Sequence, residues 1–272
     1  MKRRRILLAP FFAARSAWAS LPDRAPDLQE QLDAALTALG SPPDLAVSLI
    51  DLHAPARYAG SQDQRIFYAA SLPKLGILLA AFAALRDRKL KRTAALDASL
   101  ARMIRLSSNV DASRLIQTLG FAYIARTLAA YRLDSGLWVG KAYGPSGYRR
   151  HVEFWRPEPA SGEWHAANTL QLARFFWLLD TNRLVDAPSC RAMKRILAEP
   201  GTSEYFVEGL RAMGVVRGLH RKFGAYGTLH GDAVLVEESG RRYVAAAMVN
   251  SVDGPALLSS LIQRLHAMVR VV

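Results

Sequence analysis

Apolar positions recur at helical spacing through residues 27–39, where Leu28, Leu32, Ala35, Leu36 and Leu39 share a face between Pro26 and Gly40. Residues 44–52 are short, apolar and contain Val and Ile, which predicts a strand. Residues 57–60 and 65–69 are expected to pair with it, with Gly60-Ser61 in the turn. The character then changes. Residues 71–88 predict a strongly apolar, buried helix, and residues 96–106, 110–119 and 121–131 predict three more, divided by Ser107-Ser108 and Gly120. Residues 136–162 mix Gly, Pro and aromatics without a period and read as a long irregular loop, a feature that in compact domains tends to carry function. Helical spacing returns at 169–179, 189–197 and 203–213. Three strands follow at 215–222, 233–238 and 243–250, with Gly240 in a tight turn, and a closing helix at 255–269.

Strands therefore flank a helical middle. The expected architecture is α+β: an antiparallel sheet built from both ends of the chain and covered by the first and last helices, with an inserted all-helical lobe. On this reading residues 20–68 and 215–272 form the α/β lobe, and residues 69–214 form the helical one. A site in the crevice between lobes is the default expectation. There is no internal repeat.

Composition narrows the possibilities. The 272 residues are 51% apolar and 22% charged, which excludes a disordered chain, and the single cysteine, Cys190, excludes an internal disulfide framework. The formal charge is +13. Four cations at residues 2–5 precede an apolar stretch and then Ala17-Trp18-Ala19, the layout of a secretory signal cleaved after Ala19. That segment holds five of the cations and no acid, so without it the charge is +8. The expected location is periplasmic or secreted. The remaining cations are mostly isolated arginines with no aromatic interleaving, so no nucleic-acid partner is expected. No run reaches the ~18 apolar residues of a membrane span. A monomer is expected.

Several chemistries leave no trace. G-x-S-x-G, G-x-x-x-x-G-K-[ST] and G-x-G-x-x-G are all missing. The six histidines are scattered with no i, i+4 pair, so no metal and no cofactor are expected, and each histidine reads as a surface or hydrogen-bonded residue. Ser71-Leu72-Pro73-Lys74 stands out because residues three apart on a helix share a face, and a desolvated lysine can activate a serine. Alone it is weak, since 19 Ser and 7 Lys give about half an occurrence by chance. Two further elements strengthen it. Ser107-Ser108-Asn109 sets a hydroxyl and a carboxamide two residues apart between helices, and Lys222-Phe223-Gly224-Ala225 ends a predicted strand.

This order, S-x-x-K then S-x-N then K-x-G, resembles the penicillin-recognising serine hydrolases, the class A β-lactamases and D,D-peptidases. The resemblance covers most of residues 27–270 and implies their fold, with the sheet and inserted helical lobe already inferred. It also implies an acyl-enzyme at Ser71, with Lys74 taking the serine proton and Ser107 passing one to the leaving nitrogen. Asn109 would bind the substrate amide and Lys222 its carboxylate. Gly224 would admit the substrate close to the strand, and the Ser71 and Ala225 amides would form the oxyanion hole. Two positions depart from the family pattern. Phe223 replaces a hydroxyl residue, and Ser108 replaces the class A aspartate. Arg156-Pro157-Glu158-Pro159 matches the R-x-E-P context of the class A deacylating glutamate, but Ala160-Ser161-Gly162 lacks the asparagine that follows it. Glu158 is thus either that base or an ordinary loop carboxylate. The leading expectation is an exported enzyme hydrolysing a small β-lactam. The alternatives are a D,D-peptidase-like enzyme for a peptidoglycan-stem-like substrate that deacylates slowly, and a non-catalytic cell-wall binder.

Overall fold

The computed structural model describes residues 21–144, 153–198, 200–238 and 240–272. The expected signal segment and part of the expected loop, residues 145–152, lie outside them. The helices are α1 (Pro26–Ala38), α2 (Lys74–Arg86), α3 (Ala94–Arg105), α4 (Asn109–Leu119), α5 (Phe121–Ala130), α6 (Thr169–Asp180), α7 (Ala187–Leu197), α8 (Phe206–Ala212) and α9 (Gly254–Met268). The strands are β1 (Leu45–Asp51), β2 (Arg57–Ser61), β3 (Phe67–Tyr68), β4 (Leu137–Val139), β5 (His165–Ala167), β6 (Leu219–Tyr226), β7 (Leu229–Glu238) and β8 (Arg241–Asn250). The fold is the α+β arrangement expected from the sequence.

The main sheet is antiparallel in the order β2-β1-β8-β7-β6, so the first and last of the described strands meet at its centre. Both of its faces are covered, and β8 shows the consequence. Val244, Ala246 and Met248 join one apolar cluster, while Tyr243, Ala245, Ala247 and Val249 join the other, as the two-residue period requires. The second cluster lies under α1, α8 and α9. The first runs from the sheet through α6 into the helical region, where α2 is its axis. Every residue of α2 from Lys74 to Ala84 is buried, which is the signature of a helix enclosed on all sides.

Local expectations shifted in several places: Gly60 and Ser61 lie in β2 rather than in a turn, and β7 begins at Leu229, four residues before the expected strand. Residues 65–69 do not extend the main sheet. Phe67 and Tyr68 instead pair with Ala167 and Ala166, in a small sheet of order β3-β5-β4 that buries Phe67 in the helical core. The segment expected to be irregular contributes β4 and a bridge between Lys141 and Phe154. The helix expected at 203–213 is α8, which packs on α9 across the sheet from the helical region. The strand expected at 215–222 begins and ends four residues later, which brings Phe223, Gly224 and Ala225 into β6. No helix among the described residues is long and apolar enough to cross a membrane.

Candidate active site

The three motifs converge although they come from separate parts of the chain. Ser71 lies in the turn that leads into α2, Lys74 is the first residue of α2, Ser107 lies between α3 and α4, Asn109 is the first residue of α4, and Lys222 lies on β6, an edge strand of the sheet. The expected helical placement of Ser71 is corrected to this turn. Pro73 stands at its end, just before the first helical residue, where a missing N–H costs nothing. Ala70 has φ +44° and Ser107 has φ +55°, so each expected catalytic serine sits at or beside a left-handed residue that is not glycine. Such backbone is costly and concentrates at functional sites.

Lys74 Nζ is the hub. It lies 2.9 Å from Ser71 Oγ and 3.3 Å from Ser107 Oγ, and it donates to the Ser107 carbonyl at 2.6 Å and to Asn109 Oδ1 at 2.7 Å. The two shortest partners are carbonyl oxygens, which only accept. A neutral amine has two N–H bonds and one lone pair. With both N–H bonds committed to those carbonyls, the lone pair is left for the Ser71 hydroxyl hydrogen. Burial lowers the Lys74 pKa from 10.5 to about 7, so the neutral amine is accessible near neutral pH. None of its hydrogen-bond partners is a carboxylate.

Lys222 Nζ donates to Ser107 Oγ at 3.0 Å and to its neighbour's Phe223 carbonyl at 2.7 Å. It is buried, and its pKa is pushed well below the usual lysine value by burial first and then by the charges of Lys74 and Arg221. Ser107 Oγ therefore faces both amines, and its own hydrogen can be donated outward. Asn109 also donates from Nδ2 to the Gly144 carbonyl at 3.1 Å, which ties α4 to the segment after β4. Ser108 caps α4 by accepting from the Asp111 amide, as an aspartate would, and the Arg102 guanidinium holds the Asp111 carboxyl down at about 2 against the opposing effect of burial.

Gly224 packs against the turn that carries Ser71. A Cβ there would come within 2.7 Å of the Ala69 carbonyl and 3.0 Å of the Ser71 and Leu72 nitrogens. Only glycine fits, and the fit places the strand segment leading to Ala225 beside the Ser71 amide. The Phe223 ring is directed elsewhere. It lies 4.5 Å from Lys222 Nζ, 4.8 Å from the Arg221 guanidinium and 6.1 Å from the Tyr205 ring.

Glu158 does not join this group. Its Oε2 accepts from the Ala160 and Ser161 amides and from Ser161 Oγ, which closes a turn of its own loop. Two residues that sequence reasoning passed over do join it. Tyr143 lies 4.5 Å from Lys74 Nζ, and His165 stacks on Tyr143 with ring centres 4.0 Å apart. His165 is 1% exposed with neither ring nitrogen hydrogen-bonded, so the surface or hydrogen-bonded reading does not hold for it. No group of three or more potential metal ligands occurs among the described residues.

The pattern of the Beta-lactamase enzyme family matches residues 95–269, well over half of the sequence. The chain belongs to that family. The matched segment contains Ser107, Asn109 and Lys222, while Ser71 and Lys74 precede it. Solved structures extend the likeness across the whole fold. The structure of PBP-A is 19% identical with a TM-score of 0.71, covering 91% of this chain and 98% of that one. A β-lactamase from Sphaerobacter thermophilus is 16% identical with a TM-score of 0.70, covering 88% and 95%. A PBP-A variant, solved as an acyl-enzyme complex with penicillin G, is 18% identical with a TM-score of 0.68, covering 92% and 98%. No curated protein sequence matches significantly. Members of this family are β-lactamase-like serine hydrolases, and this chain carries their fold.

Proposed function

We propose that the protein is a serine hydrolase that opens the amide of a β-lactam, or of a peptidoglycan-stem-like peptide, by forming a long-lived acyl-enzyme at Ser71. The carrying observation is the Lys74 amine at 2.9 Å from Ser71 Oγ, with both N–H bonds held by carbonyl oxygens. The Ser71 proton passes to Lys74 as Oγ bonds to the substrate carbonyl carbon. The oxyanion that forms is stabilised by the Ser71 and Ala225 amides, each worth about 10²–10³ in rate. As the C–N bond breaks, Ser107 gives its proton to the leaving nitrogen and recovers one from the lysines on either side. Lys222 attracts the substrate carboxylate. Hydrolysis then needs a base for water. The turn-bound carboxylate of Glu158 supports slow release rather than the rapid release expected of a class A enzyme.

The test is intact mass after exposure to penicillin G. A stable adduct on the wild type and none on Ser71→Ala is expected, with an adduct lifetime unchanged in Glu158→Gln. Labelling of Ser71→Ala would overturn the reading. Rapid turnover that disappears in Glu158→Gln would restore the hydrolytic one. We also propose export, carried by the signal-like residues 1–19, with an N-terminus at Ser20 in the periplasmic fraction as the result to look for.

A further inference from the structure

Tyr143 and His165 form a second layer of the site. Their rings are parallel within 5°, with centres 4.0 Å apart, and Tyr143 is 7% exposed. An imidazole stacked that closely covers one face of the phenol ring, which leaves the other face for the Lys74 amine at 4.5 Å. The backbone fixes this arrangement from three directions. Ser113 Oγ donates to the Tyr143 carbonyl at 2.6 Å, Asn109 Nδ2 donates to the carbonyl of the next residue, Gly144, and the Ala69 amide donates to the His165 carbonyl at 2.7 Å. The two rings are thus tied to the segments that carry Asn109 and Ser71.

Their polar atoms are unexpected for a purely structural pair. Tyr143 Oη, His165 Nδ1 and His165 Nε2 are all buried without a protein hydrogen-bond partner. Two phenylalanines would fill the same space without that desolvation cost. What the pair supplies to Lys74 is an electron-rich ring face next to an amine that has no carboxylate partner. The imidazole behind it stays uncharged, because burial first and then the charges of Lys141 and Lys74 push its pKa down to about 3. The other groups facing the site are Lys222 on β6, which repels the charged form of Lys74, the ion-paired Arg221 and Asp232 behind Lys222, and Tyr68 on β3, beside Tyr143.

We propose that Tyr143, backed by His165, is a positioning residue for Lys74 whose ring face stabilises the charged amine and so sets the pH at which it becomes a base. Its catalytic consequence rests on Lys74 acting as the base of acylation. Its electrostatic content does not, and it is read separately. The chain has only seven lysines, so ¹³C-lysine labelling of the full-length protein resolves the Lys74 side chain, assigned by its loss in Lys74→Met. Tyr143→Phe keeps the face and is expected to titrate like the wild type. Tyr143→Leu removes the face and is expected to titrate about one pH unit lower. A fluorinated phenylalanine at position 143 keeps the shape, weakens the face, and must move the titration in the same direction. If the leucine and fluorinated variants both titrate with the wild type, or if Tyr143→Phe moves as far as Tyr143→Leu, the proposal fails. The acid limb of penicillin acylation should follow the same shifts. A wild type that titrates as expected but is never acylated would sink the hydrolase reading and leave this one standing.

Discussion

Phe223 stands where the family pattern has a hydroxyl, and its ring packs on Lys222, Arg221 and Tyr205 rather than offering a donor to substrate. In the proposed reading carboxylate recognition falls on Lys222, because the neighbouring Arg221 is held by Asp232, Thr202 and Glu204. Phe223→Thr would restore a hydroxyl on the strand. One hydrogen bond to a carboxylate predicts a gain of about tenfold in acylation efficiency toward carboxylate-bearing β-lactams. The methyl ester of the same compound is the control, and an equal gain on the ester would show that the effect is packing. The motif residues Ser71, Lys74, Ser107, Asn109 and Lys222 were legible because each is defined by spacing, and the fold brings all five together. Tyr143 and His165 were not, since they lie in or beside a segment without periodicity, and stacking between residues 22 positions apart leaves no spacing to read. Glu158 illustrates the converse. A four-residue match reports composition, whereas the direction of a carboxylate is set by the loop's path.

At the scale of elements, the site depends on β6 pressing against the turn before α2. Gly224 is the point of contact, and its missing Cβ leaves room for the Ala69 carbonyl and the Ser71 and Leu72 nitrogens. Gly224→Ala forces the strand and the turn apart. It is expected to slow acylation about 10²-fold, the cost of a misplacement near 1 Å, while destabilising the fold by about 1–3 kcal/mol. Stopped-flow acylation and urea unfolding separate the two effects, and an unchanged acylation rate would refute the packing argument. Helix and strand identities followed from periodicity, but partners did not. Residues 65–69 look like a third strand of the main sheet, yet the two-residue run Phe67–Tyr68 finds β5 because Phe67 belongs to the helical core. Strand β5 itself, His165-Ala166-Ala167, is too short to carry a recognisable alternation.

For the whole molecule, two buried lysines are a liability that pH modulates. Lys74 binds a proton up to pH 10.5 when unfolded but only to about 7 when folded, so the unfolded chain holds the extra proton between those values. Stability therefore rises with pH in that window, by up to about 1.4 kcal/mol per pH unit for each lysine, and Lys222 adds in the same direction. Above about pH 9 the unfolded chain loses the Cys190 proton, which the fold retains up to about 11, and the gain is opposed. Urea midpoints should climb between pH 7 and 9, and Lys74→Met should flatten that climb while abolishing acylation. A midpoint that falls over this range would contradict the burial of both amines. The sheet order carries a different consequence, one of timing. Strand β1 ends at Asp51, but its central partner β8 begins at Arg241. During synthesis the apolar faces of β1 have no partner on that side until the chain has emerged past Arg241, and the loop closed by their pairing is the longest in the sheet. Nascent chains that stop short of β8 would leave both apolar clusters open at the centre of the sheet. Assembly of this molecule is in that sense decided at its last strand.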